Sequence, residues 1–185
     1  MKKEYLFDLL LEKKIKIDYD VFDYGLTTLI VYLKFIIIIL PLSLILNIKK
    51  EIIVFLLFFI PLRRYIGGYH LKSNYSCLIA SVLCSVLISF LSKYTPFLPL
   101  YIRLLLLLIC LFFVFKIGTV DHPNKKLKIN EKKYYKKKSL TVVMIYMLFI
   151  VFLYNYENHI VLNTALYALL FSVISLILAN YKKKL

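Results

Sequence analysis

The apolar residues of this chain fall into about six long runs, and the polar residues between them are gathered into short, mostly basic connections. That pattern leaves few folds open. Inside a bilayer every backbone N–H and C=O must be satisfied by the segment itself, so runs of this length read as helices. The runs cover residues 26–46, 52–62, 75–91, 97–115, 140–153 and 160–179. Hydrophobic residues make up 62% of the 185 and the mean hydropathy is +0.80; soluble domains stay near about 45–50%. The chain therefore reads as an all-α membrane protein with a single domain over 1–185. It is expected to be a polytopic helical bundle of about six apolar segments, four to six of them spanning the membrane.

The first run is interrupted by Lys34 and Pro41. The second, Ile52 to Leu62, would rise only about 16 Å as a helix, roughly half a bilayer core. It is either a short helix buried in protein or one arm of a shallow hairpin with the first run. Residues 2–18, KKEYLFDLLLEKKIKID, are amphipathic. They predict a helix lying in the membrane interface or docked against the spans. No basic start, apolar run and cleavage site of a signal peptide precedes the first run.

The net charge is +15, but the basic residues are clustered rather than spread over a soluble face, which argues against nucleic-acid binding. Their placement instead sets orientation, because Lys and Arg accumulate in inner loops. With six spans, segments 1–24, 63–73, 116–139 and 180–185 hold 20 of the Lys and Arg residues and the opposite connections hold 3. Both termini and the lysine-rich 116–139 loop are therefore expected on the cytoplasmic side of the cell membrane. That loop, with nine lysines, has a topogenic role at least, and would also attract an acidic ligand.

Between the second and third runs lies PLRRYIGGYHLKSNYSC, residues 61–77. Two of the four glycines, one of three histidines and one of three cysteines fall within it. Gly67 and Gly68 permit positive φ and a break in the helix, which places His70 on a loop. Ser73 and Asn74 are good N-caps for a following helix. Cys77 then lies in the first turn, where free N–H groups and the helix dipole favour a thiolate. On an unbroken helix His70 and Cys77 would be about 10 Å apart along the axis, too far for a base and a nucleophile. Their pairing requires the chain to fold back between Leu71 and Asn74. Arg63 and Arg64 either bind substrate carboxylates or anchor the helix at the headgroups.

The segment resembles the accessory gene regulator protein B (AgrB) family, membrane cysteine peptidases of Gram-positive quorum sensing. That family's pattern is R-x-x-G-G-x-H, six residues, then C; here Arg64, Gly67, Gly68, His70 and Cys77 meet it. The amphipathic start, Tyr24-Gly25-Leu26 at the opening of the first run, and the basic loop after the fourth extend the likeness over most of the chain. Asp121-His-Pro-Asn124-Lys125-Lys126 looks like the family's D-x-x-N-K-P segment, with Lys126 where proline is usual. The resemblance implies an endopeptidase in which Cys77 is the nucleophile and His70 the general base and acid. Arg63, Arg64, Gly67, Gly68 and Lys125 would bind substrate or support the site. The implied substrate is an AgrD-like propeptide that loses its C-terminal tail and closes into a thiolactone or lactone.

The implied partners are that propeptide and the lipid bilayer, and a homodimer is compatible with the pattern. No cofactor, metal or nucleic acid is expected. His122 and His159 have no catalytic partner in the sequence. Cys84 and Cys110 lie in apolar runs, where an inert thiol is the default. The competing class is a non-enzymatic membrane transporter or peptide exporter. It explains the spans and basic loops but gives no reason for a thiol one turn after a cap and beside Gly-Gly-x-His.

Overall fold

The computed structural model describes residues 5, 7, 19–69, 71, 73–96, 98–121, 127–154 and 159–184. The amphipathic 2–18 segment, Tyr5 and Phe7 apart, lies outside the described residues, as do His70, His122 and Lys125. Six helices follow in order among the described residues: α1 (Tyr19–Ile45), α2 (Lys49–Ile66), α3 (Asn74–Tyr94), α4 (Leu100–Ile117), α5 (Ile129–Tyr154) and α6 (His159–Lys184). Five of them, all but α2, are long and apolar enough to cross a membrane.

Helix α6 is the axis of the bundle: 61% of its most apolar stretch is buried in protein, against 17–22% for the other four. Its sequence explains this. Ala165, Ala168, Ser172, Ser175 and Ala179 are buried small residues, which let neighbouring backbones approach closely where no water drives association. Its packing is most extensive with α2, and it also meets α3, α4 and α5.

Helix α2 is the short apolar run of the sequence, extended at both ends to 18 residues, about 27 Å of rise. One face of it is buried in protein, while Ile53 and Leu57 on the other are more than half exposed. Ile52, Phe55, Phe58, Leu62 and Ile66 form its inward stripe at the three-to-four-residue spacing of a helix face. Phe58 packs at a tilt against Tyr146, 4.4 Å between centroids, and Phe59 meets Phe171 at 5.6 Å. The Tyr146 hydroxyl of α5 donates to Leu57 O at 3.0 Å.

One boundary departs from expectation. Helix α5 starts at Ile129, inside the stretch read as the 116–139 loop. The segment INEKKYYKKKS has no glycine or proline, and Glu131 caps it: its Oε2 accepts from Lys128 N at 2.7 Å. Asp121 forms an ion pair with Lys132 at 2.7 Å. Half of the lysine-rich stretch is thus presented on helix.

The end of the bundle that joins α3 to α4 holds a buried cation. Arg103 is fully buried; its Nε donates to Leu98 O at 2.8 Å and its Nη2 to Asn163 Oδ1 at 2.7 Å. Asn163 Nδ2 donates in turn to Thr95 O at 3.1 Å and Pro96 O at 3.3 Å. Asn163→Leu removes the arginine's side-chain acceptor on α6 and leaves two carbonyls short of a donor. It is expected to destabilise the bundle by ~2–4 kcal/mol, read as a fall in the thermal midpoint in detergent. Reactivity at the opposite end should stay intact in the molecules that remain folded.

Candidate active site

At the other end, α2 stops because Gly67 leaves the helical region at φ 71°, with its N–H donating to Arg63 O at 3.1 Å. Gly68 follows at φ 154°. Both conformations are costly for residues with a Cβ. Helix α4 ends in the same way, at Gly118 with φ 74°. The two glycine-terminated segments lie side by side: Val120 N donates to Ile66 O at 3.0 Å and the Thr119 hydroxyl to Tyr65 O at 3.0 Å.

The described residues between Ile66 and Asn74 are non-helical. Helix α3 then begins as its composition requires. Ser73 is in extended geometry, its Oγ accepts from Tyr75 N at 3.3 Å, and its carbonyl accepts from Cys77 N at 3.0 Å. Cys77 is half-buried in that first turn. The position of His70 relative to it lies outside the described residues.

The two arginines separate cleanly. Neighbouring residues on a helix point about 100° apart, so only one can face inward. Arg64 is exposed. Arg63 turns back over the helix end: Nη1 donates to Gly67 O at 3.0 Å and to Ser175 Oγ at 2.6 Å, and Nη2 donates to Tyr69 O at 2.7 Å. Gly68 is what makes room, because a Cβ there would stand 1.1 Å from Arg63 Nη1. A Cβ on Gly67 would stand 2.4 Å from Val120 O. Of the expected supporting residues, Arg63, Gly67 and Gly68 thus meet at one point, Arg64 faces outward, and Lys125 lies outside the described residues.

Three neighbours of the site were not foreseen. Ser175 of α6 touches both Arg63 and Tyr69. Lys182 Nζ lies 4.7 Å above the Tyr69 ring. Tyr32 of α1 lies within electrostatic reach of Cys77, Arg63 and Arg64. The last follows from α1 packing against the start of α3, where Phe35 and Leu78 share a buried cluster and Lys34 Nζ lies 5.6 Å from the Tyr75 ring. A polar group within an apolar run is the only mark that Ser175 or Tyr32 carried in the sequence, and such residues usually seek a partner on another helix.

Cys84 is half-buried two turns farther along α3, and Cys110 is fully buried in α4. No group of three or more His, Cys, Asp or Glu close enough to hold a metal ion occurs among the described residues. Asp121, the one described residue of the D-x-x-N-K stretch, is held by Lys132. Chemically, the described residues offer a thiol in the first turn of α3 and, at the end of α2, a glycine turn held by an arginine.

The model of the Accessory gene regulator B family matches residues 4–176. AgrB-like protein 2 of Clostridium perfringens (strain 13 / Type A) is 36% identical over 135 residues, covering 69% of this chain. An AgrB-like protein of Clostridium perfringens (strain SM101 / Type A) is 33% identical over the same length, again covering 69% of this chain. The match spans 63% of each relative's own length. No solved structure matches the chain.

Proposed function

The chain belongs to the accessory gene regulator B family, and from that premise we propose that it is a membrane-embedded cysteine endopeptidase of quorum sensing that processes an AgrD-like propeptide. The observation that carries the proposal is the half-buried Cys77 in the first turn of α3, just after the glycine-broken segment that bears His70. An exporter has no need of a thiol there.

In this reading the Cys77 thiol gives its proton to His70 and its sulfur attacks the carbonyl at the start of the propeptide's acidic tail. The tetrahedral intermediate collapses with cleavage of the C–N bond. His70 returns the proton to the leaving amine, and the tail departs. A thioester on Cys77 remains. A Cys or Ser side chain within the peptide attacks it, loses its own proton to His70 and releases the enzyme thiol, closing a thiolactone or lactone ring. Water competes for the same thioester, and a site at the membrane boundary limits its access.

The basic end of the bundle is assigned to the cytoplasmic side, from the lysine bias. Cysteines introduced at positions 125 and 133 should resist a membrane-impermeant thiol reagent applied outside intact cells and react after permeabilisation. Reaction from outside would reverse the orientation.

Lys133, Lys137 and Lys138 are exposed on the first turns of α5, whereas Lys136 lies over the Phe115 ring at 4.7 Å. The three exposed lysines are the ones assigned to attract the acidic tail. Replacing them with glutamine should slow cleavage a few-fold at low salt, and by much less at about 0.5 M, where charges are screened beyond a few ångströms. An equal loss at both salt concentrations would leave them a topogenic role alone.

The direct test uses purified protein in liposomes with an AgrD-like propeptide. Mass spectrometry should show the free tail and a cyclic product lighter than the linear fragment by one water. Intact propeptide, or propeptide moved across the bilayer uncut, would support the exporter reading instead.

A further inference from the structure

Tyr69 is the residue before His70, and both of its backbone polar groups are held from outside the segment, by Ser175 and Arg63. Its N–H donates to Ser175 O and Ser175 Oγ, each at 3.1 Å. Its carbonyl accepts from Arg63 Nη2 at 2.7 Å. Its ring lies beneath Lys182, 4.7 Å from Nζ. Arg63 is itself fixed by Gly67 O and Ser175 Oγ through Nη1. The carbonyl of Tyr69 belongs to the peptide unit that ends at the Cα of residue 70. That unit is planar.

We propose that Arg63 and Ser175 are positioning residues for His70, and that the last turns of α6 form the platform on which the reactive segment is held. The inference rests on the peptidase reading for its catalytic consequence, but the clamp itself is a matter of geometry. It assigns the inward-facing arginine to the protein's own backbone rather than to the propeptide. It also gives the C-terminal helix, more than a hundred residues away in sequence, a part in the chemistry. Lysine cannot replace Arg63 here. Three acceptors on two chain segments need a planar fork of donors, and an ammonium is a single point.

The experiment compares the full-length wild type with Arg63→Lys, Ser175→Ala and Ser175→Thr in liposomes. Cleavage kinetics, the thermal midpoint and hydrogen exchange of the 67–71 segment are read for each. Arg63→Lys and Ser175→Ala should lower kcat by about 10- to 100-fold, the scale of a base displaced by an ångström. KM should stay within about twofold, the thermal midpoint should hold, and exchange across 67–71 should quicken. Ser175→Thr keeps the hydroxyl and should recover most of the rate. A rise in KM alone, with Arg63→Lys close to wild type, would show that the arginine binds substrate carboxylates and would overturn the clamp. Activity lost only in proportion to a falling thermal midpoint would overturn it too, as would unchanged exchange. If the wild type cuts no propeptide, the peptidase reading fails by itself, and the exchange of 67–71 still decides the clamp.

Discussion

Cys77→Ala is expected to bring propeptide cleavage down to background, a loss of at least about 10⁴-fold, while the protein inserts and folds as before. Cys77 is half-buried at the start of α3, so shortening it costs about 1 kcal/mol or less. Cys84→Ala and Cys110→Ala should cleave at near wild-type rates: one thiol lies two turns farther along α3, the other is sealed within α4. Cys77→Ser should be almost as damaging as alanine. A hydroxyl is far less ionised than a thiol, and a Ser–His pair ordinarily relies on a third group to orient the base. His70→Ala should block formation of the thioester as well, because the base that takes the thiol proton is gone. The released tail, weighed by mass spectrometry, reads all five variants. Normal release by Cys77→Ala would end the peptidase account.

Gly68→Ala is expected to be the most damaging change that removes no reactive group. The new Cβ would overlap Arg63 Nη1, at 1.1 Å, and the residue would hold a φ of 154°. Either the arginine leaves Gly67 O, Tyr69 O and Ser175 Oγ, or the turn opens. Both release the segment that carries His70, and cleavage should fall by about 10²-fold. Gly67→Ala should be nearly as severe, because its Cβ would meet the backbone oxygen of Val120 at 2.4 Å, which no side-chain rotation relieves. Gly118→Ala meets only the flexible Lys136 side chain, at 3.3 Å, at a φ of 74°. Its cost is conformational strain of about 1–3 kcal/mol, with a smaller effect on rate. A Cβ on Gly25 would have nothing within 4 Å of it, so Gly25→Ala should retain full activity. The four rates measured side by side test that order. A Gly68→Ala rate equal to that of Gly25→Ala would mean that the turn does not govern the site.

Much of this arrangement is legible in the residues themselves. The six helices lie where the apolar runs lie, since hydrocarbon permits little else. The break at Gly67 and Gly68 and the cap at Ser73 each follow from a local preference that tertiary context had no reason to override. What stayed hidden depends on which way a side chain faces once helices meet. Arg63 and Arg64 are chemically alike and adjacent. Only the packing of α2 against α6 makes the first a clamp and leaves the second exposed. Ser175 looks like any small residue in an apolar helix until Arg63 reaches it. The start of α5 at Ile129 was obscured by its lysines, which suit a solvated helix as well as a loop. Tyr32 comes near Cys77 only because α1 packs along the first turns of α3, a contact between helices that no local pattern encodes.

The central claim is that Cys77 carries the peptide between tail release and ring closure. Wild-type protein in liposomes, mixed with propeptide, quenched in acid within the first turnover and digested, should yield the Cys77-containing peptide heavier by the mass of the propeptide without its tail and less one water. The adduct should disappear on treatment with hydroxylamine, as a thioester does, and should be absent from Cys77→Ala. Tail release at full rate with Cys77 unmodified at every quench time would contradict the account.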